Sequence, residues 1–304
     1  MTAQCRRVVA ARTLLAQLAY SDEIVPGRVV AQRRARRDLL RAGVDLAAAP
    51  EPLHAQRLQQ ALRKRASVEV RWGCPSTMDA LQRYDGAGPH FLLSEWQWAG
   101  RGRHDRRWIS PLSGNYYIGL AVNLRAPPAQ LPTLPLMLGV AVAEQLRSVG
   151  IPAQLKWPND VVVDGRKLAG LLVELQMLAG ELRAHIGIGL NWRLRAAVRN
   201  SIDREVTDLI EHCQPRPDRN ALLIELLGRV LDAVDGLQAG SCAQWLARWR
   251  SLDSLHGQTL RVLLNGVAVQ GVADSVDAGG RLQLLTQQGL QLIDAGEVER
   301  VRPV

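Results

Sequence analysis

With 304 residues, of which 47% are apolar and 22% charged, the chain has the composition of an ordinary globular protein and not of a disordered or fibrous one. It is long enough for one large core with one or two small satellites, and no stretch of 18 uninterrupted apolar residues predicts a transmembrane helix. The net charge of +9 is unevenly placed: residues 1–65 carry 13 Lys and Arg against 5 Asp and Glu, and the remainder 25 against 24.

In chain order, residues 8–20 read as a short apolar helix. The apolar stretch is broken by Arg12 and Gln17 and lacks a small-residue cleavage site, so it does not read as a signal peptide. Residues 27–42 read as a strongly basic helix ended by Gly43, and 52–62 as a further short helix. From Val68 the texture changes. VEVRW predicts a strand, Ser76 caps a helix running to about Tyr84, and 90–96 is a strand. A long loop rich in glycine and arginine covers 97–111, followed by a strand over 115–124 and an apolar helix over 136–149 with Pro135 at its start. Four strands at 153–157, 161–163, 167–175 and 182–192 are divided by the turn signals PND, DG and AG. Helices are expected over 219–237 and 242–252. The tail from His256 breaks into five short β segments, which suggests a small barrel. The implied organisation is a short basic helical domain at 1–66, a central α+β domain at 67–252 and a C-terminal β-barrel at 253–304. The cysteines Cys5, Cys74, Cys213 and Cys242 form no CxxC pair, which predicts a reduced cytoplasmic protein without structural zinc.

Three segments carry chemistry. QWAGRGRHDRRW (97–108) interleaves Gly100 and Gly102 with Arg101 and Arg103: glycines let backbone amides approach an anion, and arginines add charge and bidentate donors. A solvated basic hairpin loop is the alternative. In the second, LKWPNDVVVDGRKLAGLLVEL, the polar residues Lys156, Asn159, Asp160 and Lys167 lie among apolar strands, where charges either pair with each other or face a site. Only three of the 38 basic residues are lysines, and two of them, Lys156 and Lys167, fall within these 12 positions; a compact ammonium is needed there if arginine will not serve. The third, HIGIGLNW, sets Gly187, Gly189 and Asn191 in an apolar strand, where glycine marks either a bulge or a close approach.

Taken together, Ser76–Thr77, ExQxAGRGR over 95–103, KWPND over 156–160, RKLAGxLVE over 166–174 and GxGxN over 187–191 resemble the biotin protein ligases, in that order, over about residues 70–304. The lipoate ligases share the fold but lack the GRGR loop. The resemblance implies a class II synthetase-like ligase domain with a central mixed or antiparallel sheet, and a small SH3-like barrel behind it. It implies ATP and biotin as substrates with Mg2+, biotinyl-AMP as intermediate, and a lysine of the biotin carboxyl carrier protein as acceptor. The attacking oxygen then belongs to the substrate, which agrees with the lack of a Ser/His/Asp or Cys/His constellation. Lys167 would bridge the biotin carboxylate and the α-phosphate, Arg101 and Arg103 hold the adenylate, and Asp160 orient the acceptor amine, with Lys156 in the catalytic set. Ser76, Thr77, Met78 and Gln97 would face the biotin ring and urea, and Gly187 and Gly189 permit close approach. Gly100, Gly102, Asn159, Gly170 and Asn191 complete the binding set, and Trp98 and Trp108 would supply apolar cover for a lid at 97–108.

This chain departs from the family pattern at Met78, where asparagine is usual, and at Asp105, where glycine is common. Many bacterial members carry an N-terminal winged helix-turn-helix and repress the biotin operon, but 27–43 has room for one helix where that motif needs two, and the chain reaches Pro50 with almost no wing. Arg28, Arg33, Arg34, Arg36, Arg37 and Arg41 are either a DNA-binding arm, expected to bind non-specifically at most, or a solvated face. Besides a ligase, a repressor or a biotin-binding pseudoenzyme stays open, as does a homodimer.

Overall fold

The structure is a computed structural model that describes residues 51–294, except 104, 105, 113, 265 and 266, together with the backbone of 297–300. The readings of helices at 8–20 and 27–42, and of Asp105, lie outside the described residues.

A seven-stranded sheet forms the centre, from β1 (Ser67–Arg71), β2 (His90–Ser94), β3 (Asn115–Leu124), β4 (Gln154–Lys156), β5 (Asp160–Val163), β6 (Arg166–Leu178) and β7 (Glu181–Asn191), in the order β1-β2-β3-β7-β6-β5-β4. Only β1 and β2 run parallel and the other neighbours are antiparallel, so the sheet is mixed, in an α+β fold as expected. Alternation divides its faces. Along β7, Ala184, Ile186, Ile188 and Leu190 enter the main core, whereas His185, Gly187, Gly189 and Asn191 point the other way. The core face is covered by α3 (Leu134–Ser148), α6 (Arg219–Gln238) and α7 (Cys242–Leu252), the first entered through a 3-10 turn at Pro128–Thr133; the short helices α4 (Ala196–Arg199) and α5 (Leu209–His212) lie between β7 and α6 in the chain. On the opposite face α2 (Thr77–Leu81) lies over β3 and β7, started by Ser76, whose Oγ accepts from the Met78 amide.

Residues 51–66, grouped by sequence with the basic segment, belong physically to this layer. Helix α1 (Ala55–Leu62) buries Leu58 and Leu62, and Leu53 and Ala66 join the same core. Glu95 and Arg219 tie the junction: Arg219 meets the Glu95 carboxylate at 3.0 Å, both almost wholly buried, and also donates to Glu51 O and Asn115 O. Glu95, the first residue of the loop motif, therefore serves the fold and not the site.

The C-terminal strands β8 (Thr259–Leu264), β9 (Val267–Val276), β10 (Leu282–Thr286), β11 (Gly289–Ile293) and β12 (Glu297–Arg300) form an antiparallel five-stranded sheet in the order β11-β10-β9-β8-β12. Its inner residues Leu260, Val262, Ala273, Leu282 and Leu284 join the same buried cluster as the central domain. The indole N–H of Trp157, inside KWPND, donates to Gly280 O at 3.1 Å, and Ser254 N donates to Leu155 O.

Candidate active site

A cavity of about 880 Å³ opens on the sheet face opposite α3, α6 and α7, beside α2. That face is built for close approach, because Gly170 on β6 and Gly187 and Gly189 on β7 carry no side chain into it. A Cβ on Gly189 would stand 2.4 Å from the Trp108 indole, and one on Gly187 would stand 2.9 Å from Met78 Sδ. Met78 thus packs directly on Gly187 and lines the cavity there.

The loop after β2 folds back on itself as a small hairpin. Trp108 N donates to Gly100 O, Gly102 N donates to Arg106 O, and Arg101 and Arg107 form a bridge. Gln97 ties it to α2: its Oε1 accepts from Thr77 N at 2.8 Å while its Nε2 donates to Ser110 Oγ at 3.0 Å. A side chain at Gly100 would strike Trp108 O at 2.5 Å, so this turn requires glycine. Arg101 lines the cavity already paired, with Asp79 at 3.0 Å and Glu174 at 2.5 Å. Arg103 reaches Asn159 Oδ1 at 3.4 Å across the mouth. Trp108 lies over Gly189 and Gly170, and its buried indole N–H has no hydrogen-bond partner. Trp98 does not take the place expected of it. It packs on Trp96, ring centroids 5.4 Å apart, outside the residues that line the cavity.

The charged strand ends meet beneath this loop. Lys156 and Asp160 are cross-strand partners on β4 and β5, and Lys167 at the start of β6 places its ammonium 2.5 Å from Asp160 Oδ1. Burial pushes the Lys167 ammonium below its ordinary pKa; Asp160 opposes that, and Arg204 and Arg106 add to it. The same ammonium sits 5.2 Å from the Trp108 ring centroid. Asn159 donates to Leu171 O at 2.6 Å and so holds KWPND against β6. Asn191 donates to Thr207 O at 3.0 Å, which makes it a backbone clamp at the cavity edge. The cavity thus gathers Ser76, Thr77, Met78, Gln97, Arg101, Gly102, Arg103, Trp108, Lys156, Asn159, Asp160, Lys167, Gly170, Gly187, Gly189 and Asn191, while Gly100 acts from behind it.

Sequence reasoning missed Arg106, Tyr117 and the whole segment 201–206, which forms one wall of the cavity. Val206 pairs with Lys167 as a short parallel bridge: Lys167 N donates to Glu205 O and Thr207 N to Lys167 O, both at 3.0 Å. A stretch this short and polar has no periodicity to betray it; only its charge, in SIDREV, was a signal. Among the described residues no three His, Cys, Asp or Glu side chains converge to hold a metal ion, and Cys74, Cys213 and Cys242 are free and buried. Among them, too, no helix is long and apolar enough to cross a membrane.

Residues 80–192 match the model of the biotin/lipoate A/B protein ligase family. The chain is 33% identical over 200 residues to the bifunctional ligase/repressor BirA of Escherichia coli, an alignment covering 65% of this chain and 62% of that protein, so the chain spans somewhat under two thirds of that relative's length. It is 32% identical over 217 residues to a biotin–[acetyl-CoA-carboxylase] ligase of Mycobacterium tuberculosis, covering 69% of this chain and 79% of that one. The structure of an Aquifex aeolicus biotin protein ligase in complex with biotin and ATP superposes with a TM-score of 0.66 at 27% identity, over 78% of this chain and 99% of the other. The glycine-faced strands, the arginine loop and the Lys167–Asp160 pair are therefore those of a member of a known family, and the chain belongs to the biotin protein ligases.

Proposed function

We propose that the chain is an ATP-dependent biotin protein ligase, which forms biotinyl-AMP and transfers biotin to a lysine of a biotin carboxyl carrier protein. The observation that carries this reading is the largely buried Lys167–Asp160 pair, set where the arginine loop, KWPND and the glycine-faced strand converge on one cavity. Positive charge fixed where two anions meet is what the first step demands, since the protein need supply no nucleophile.

In that step a biotin carboxylate oxygen attacks the α-phosphorus of ATP and pyrophosphate leaves. Lys167 has three donors, so Asp160 can hold one while the others face the carboxylate and the α-phosphate. Arg103 secures the adenylate from the loop side, and Arg101, clamped by Asp79 and Glu174, fixes the hairpin that carries it. The apolar bicycle lies over Gly187 against Met78, with Ser76 and Gln97 near its polar edge. Magnesium would be carried by the ATP phosphates and would neutralise part of their charge; among the described residues no carboxylate cage is gathered to hold the ion separately. In the second step the acceptor lysine amine attacks the anhydride carbonyl, AMP leaves, and Asp160 orients the amine and takes its proton.

The deciding experiment incubates the purified chain with ATP, a carrier domain and either biotin or lipoate, against the same domain with its acceptor lysine changed to arginine. Biotin on the first carrier only is expected. Lipoate transfer instead, or biotin binding without transfer, would overturn the reading.

Arg103→Ala is expected to make the adenylate but hold it poorly. Losing one charged hydrogen bond, about 1.5 kcal/mol, should raise the ratio of AMP released to carrier biotinylated roughly tenfold. An unchanged ratio would show that the loop is no lid.

Because Leu53, Leu58 and Leu62 belong to the core, truncation is safe only upstream of them. Removing residues 1–50 is expected to leave transfer within about twofold, since the residues that line the cavity lie after them and changes away from a site have small effects. The full chain is expected to bind DNA only through phosphate contacts, with steep salt dependence. A preference above about a hundredfold for its own biotin-operon promoter over scrambled DNA at physiological salt would instead establish a repressor.

A further inference from the structure

Helix α2 is five residues long, little more than one turn, and a helix that short has no stability of its own in water. Yet it carries Thr77 and Met78 to the cavity and Asp79 to Arg101, so its place on the sheet is fixed from outside. At its start, Ser76 Oγ accepts from Met78 N and Gln97 Oε1 from Thr77 N. Its end is fastened by a side chain of β7. Arg183 donates through Nη1 to Tyr84 O at 2.6 Å and through Nη2 to Gly86 O at 2.8 Å, both in the turn that leaves α2. Its Nε donates to Asn123 Oδ1 on β3 at 2.8 Å, and Asn123 in turn donates to the Glu181 carboxylate. The guanidinium also lies 5.8 Å from the Tyr84 ring centroid, and that ring stacks on His90 at 4.2 Å.

Arg183 is only 5% exposed, and these three acceptors are neutral oxygens. Burying a cation against neutral acceptors is costly. What that cost secures is geometry, since one rigid planar group joins β3, β7 and the exit of α2. Strand alternation sets Arg183 on the same face of β7 as His185, Gly187 and Gly189, although it is not among the residues that line the cavity. Four residues further on, roughly 13 Å along the strand, Gly187 receives Met78. One strand therefore holds the exit of α2 at one point and takes its inward side chain at another.

We propose that Arg183 is a positioning residue for the acyl substrate: by clamping the exit of α2 to β7 it sets how closely Met78 approaches Gly187, and with that the fit of the biotin bicycle. This rests on the ligase reading above. The ATP side of the cavity is built from other elements, with Arg103 on the loop, Asn159 between β4 and β5 and Lys167 on β6. Arg101 keeps Glu174 if Asp79 moves with α2, so the effect falls on biotin.

The test is biotin-dependent exchange of labelled pyrophosphate into ATP, with KM measured separately for each substrate. Arg183→Gln should raise KM for biotin about tenfold, the weight of one charged hydrogen bond, with KM for ATP within about twofold. Arg183→Lys keeps the charge and loses the planar fork, and should fall between the wild type and Arg183→Gln. A purely structural role would lower the folded fraction, and so the apparent kcat, while leaving both KM values in place. An unchanged KM for biotin, or equal rises for both substrates, overturns the proposal. If circular dichroism shows that Arg183→Gln does not fold, the same comparison on Arg183→Lys decides the matter. Titration of biotin into each variant without ATP reads the same shift as a Kd. Normal exchange in the wild type with an unaltered KM for biotin in the variants sinks this proposal alone, whereas no exchange in the wild type sinks the ligase reading and this proposal with it.

Discussion

Lys167→Ala is expected to lower adenylate formation by at least about a hundredfold while leaving the fold intact, the scale seen when one preorganised charge-stabilising donor is removed from an active site. The side chain sits at the cavity floor, so its loss leaves a wetter pocket and no hole in the core; the neighbours Leu168 and Ala169, which do belong to the core, are untouched. Asp160 would then be an unbalanced carboxylate facing an incoming carboxylate and a phosphate, which adds repulsion to lost attraction. Lys167→Arg should also be severely impaired. A planar guanidinium is bulkier, and Gly170 leaves only 2.9 Å between a notional Cβ and the present Lys167 Cε. Pyrophosphate exchange measures both variants directly. Near wild-type exchange in folded Lys167→Ala would remove this residue from the reacting centre.

Arg219→Ala is expected to have the largest effect on stability, about 3–5 kcal/mol. The guanidinium is almost wholly buried and serves four partners at once: the Glu95 carboxylate, Glu51 O, Asn115 O and the Tyr116 ring at 5.2 Å. Removing it strands a buried carboxylate whose remaining partner is the Leu53 amide. At about 2–4 °C per kcal/mol for a chain of this size, Tm should fall by roughly 10 °C. Replacing both partners with apolar residues should cost less than either single change, because the expense lies in the orphaned charge. A thermal melt in which the double Glu95→Leu, Arg219→Met variant is the least stable of the three would contradict this account.

The elements that could be read from sequence were those whose apolar spacing matches one period. β3 and α7 fall at the expected residues 115–124 and 242–252, since a nearly unbroken buried strand and a helix burying Cys242, Trp245, Leu246, Trp249 and Leu252 at helical spacing leave little room for error. The glycines of β7 were legible too, because glycine in an apolar strand needs a reason. Pairings over long separations were not. Nothing local marks Arg101 for Glu174, 73 positions away, or Arg219 for Glu95, 124 positions away; the first makes an arginine of the motif region look freer than it is. That residues 51–66 pack into the central core was not legible for a related reason. Helix α1 offers only Leu58 and Leu62 as fully buried residues in a run of arginine and glutamine, so its membership of the core shows only once α6 is beside it.

The single buried cluster running from α1 through the central sheet into the C-terminal strands has a thermodynamic corollary. Two domains with separate cores can melt one after the other, but here the buried residues of the C-terminal sheet are continuous with the core of the central sheet, so the two are expected to melt together. Opening the C-terminal sheet would strip Leu260, Val262 and Leu284 from their neighbours and break the Trp157–Gly280 bond. That bond lies one residue from Lys156 and three from Asp160 along the chain, so the tail adds to the order that pairing with β6 already gives the strands presenting the charged pair. The C-terminal sheet is accordingly a cooperative part of the catalytic unit, not an appendage to it.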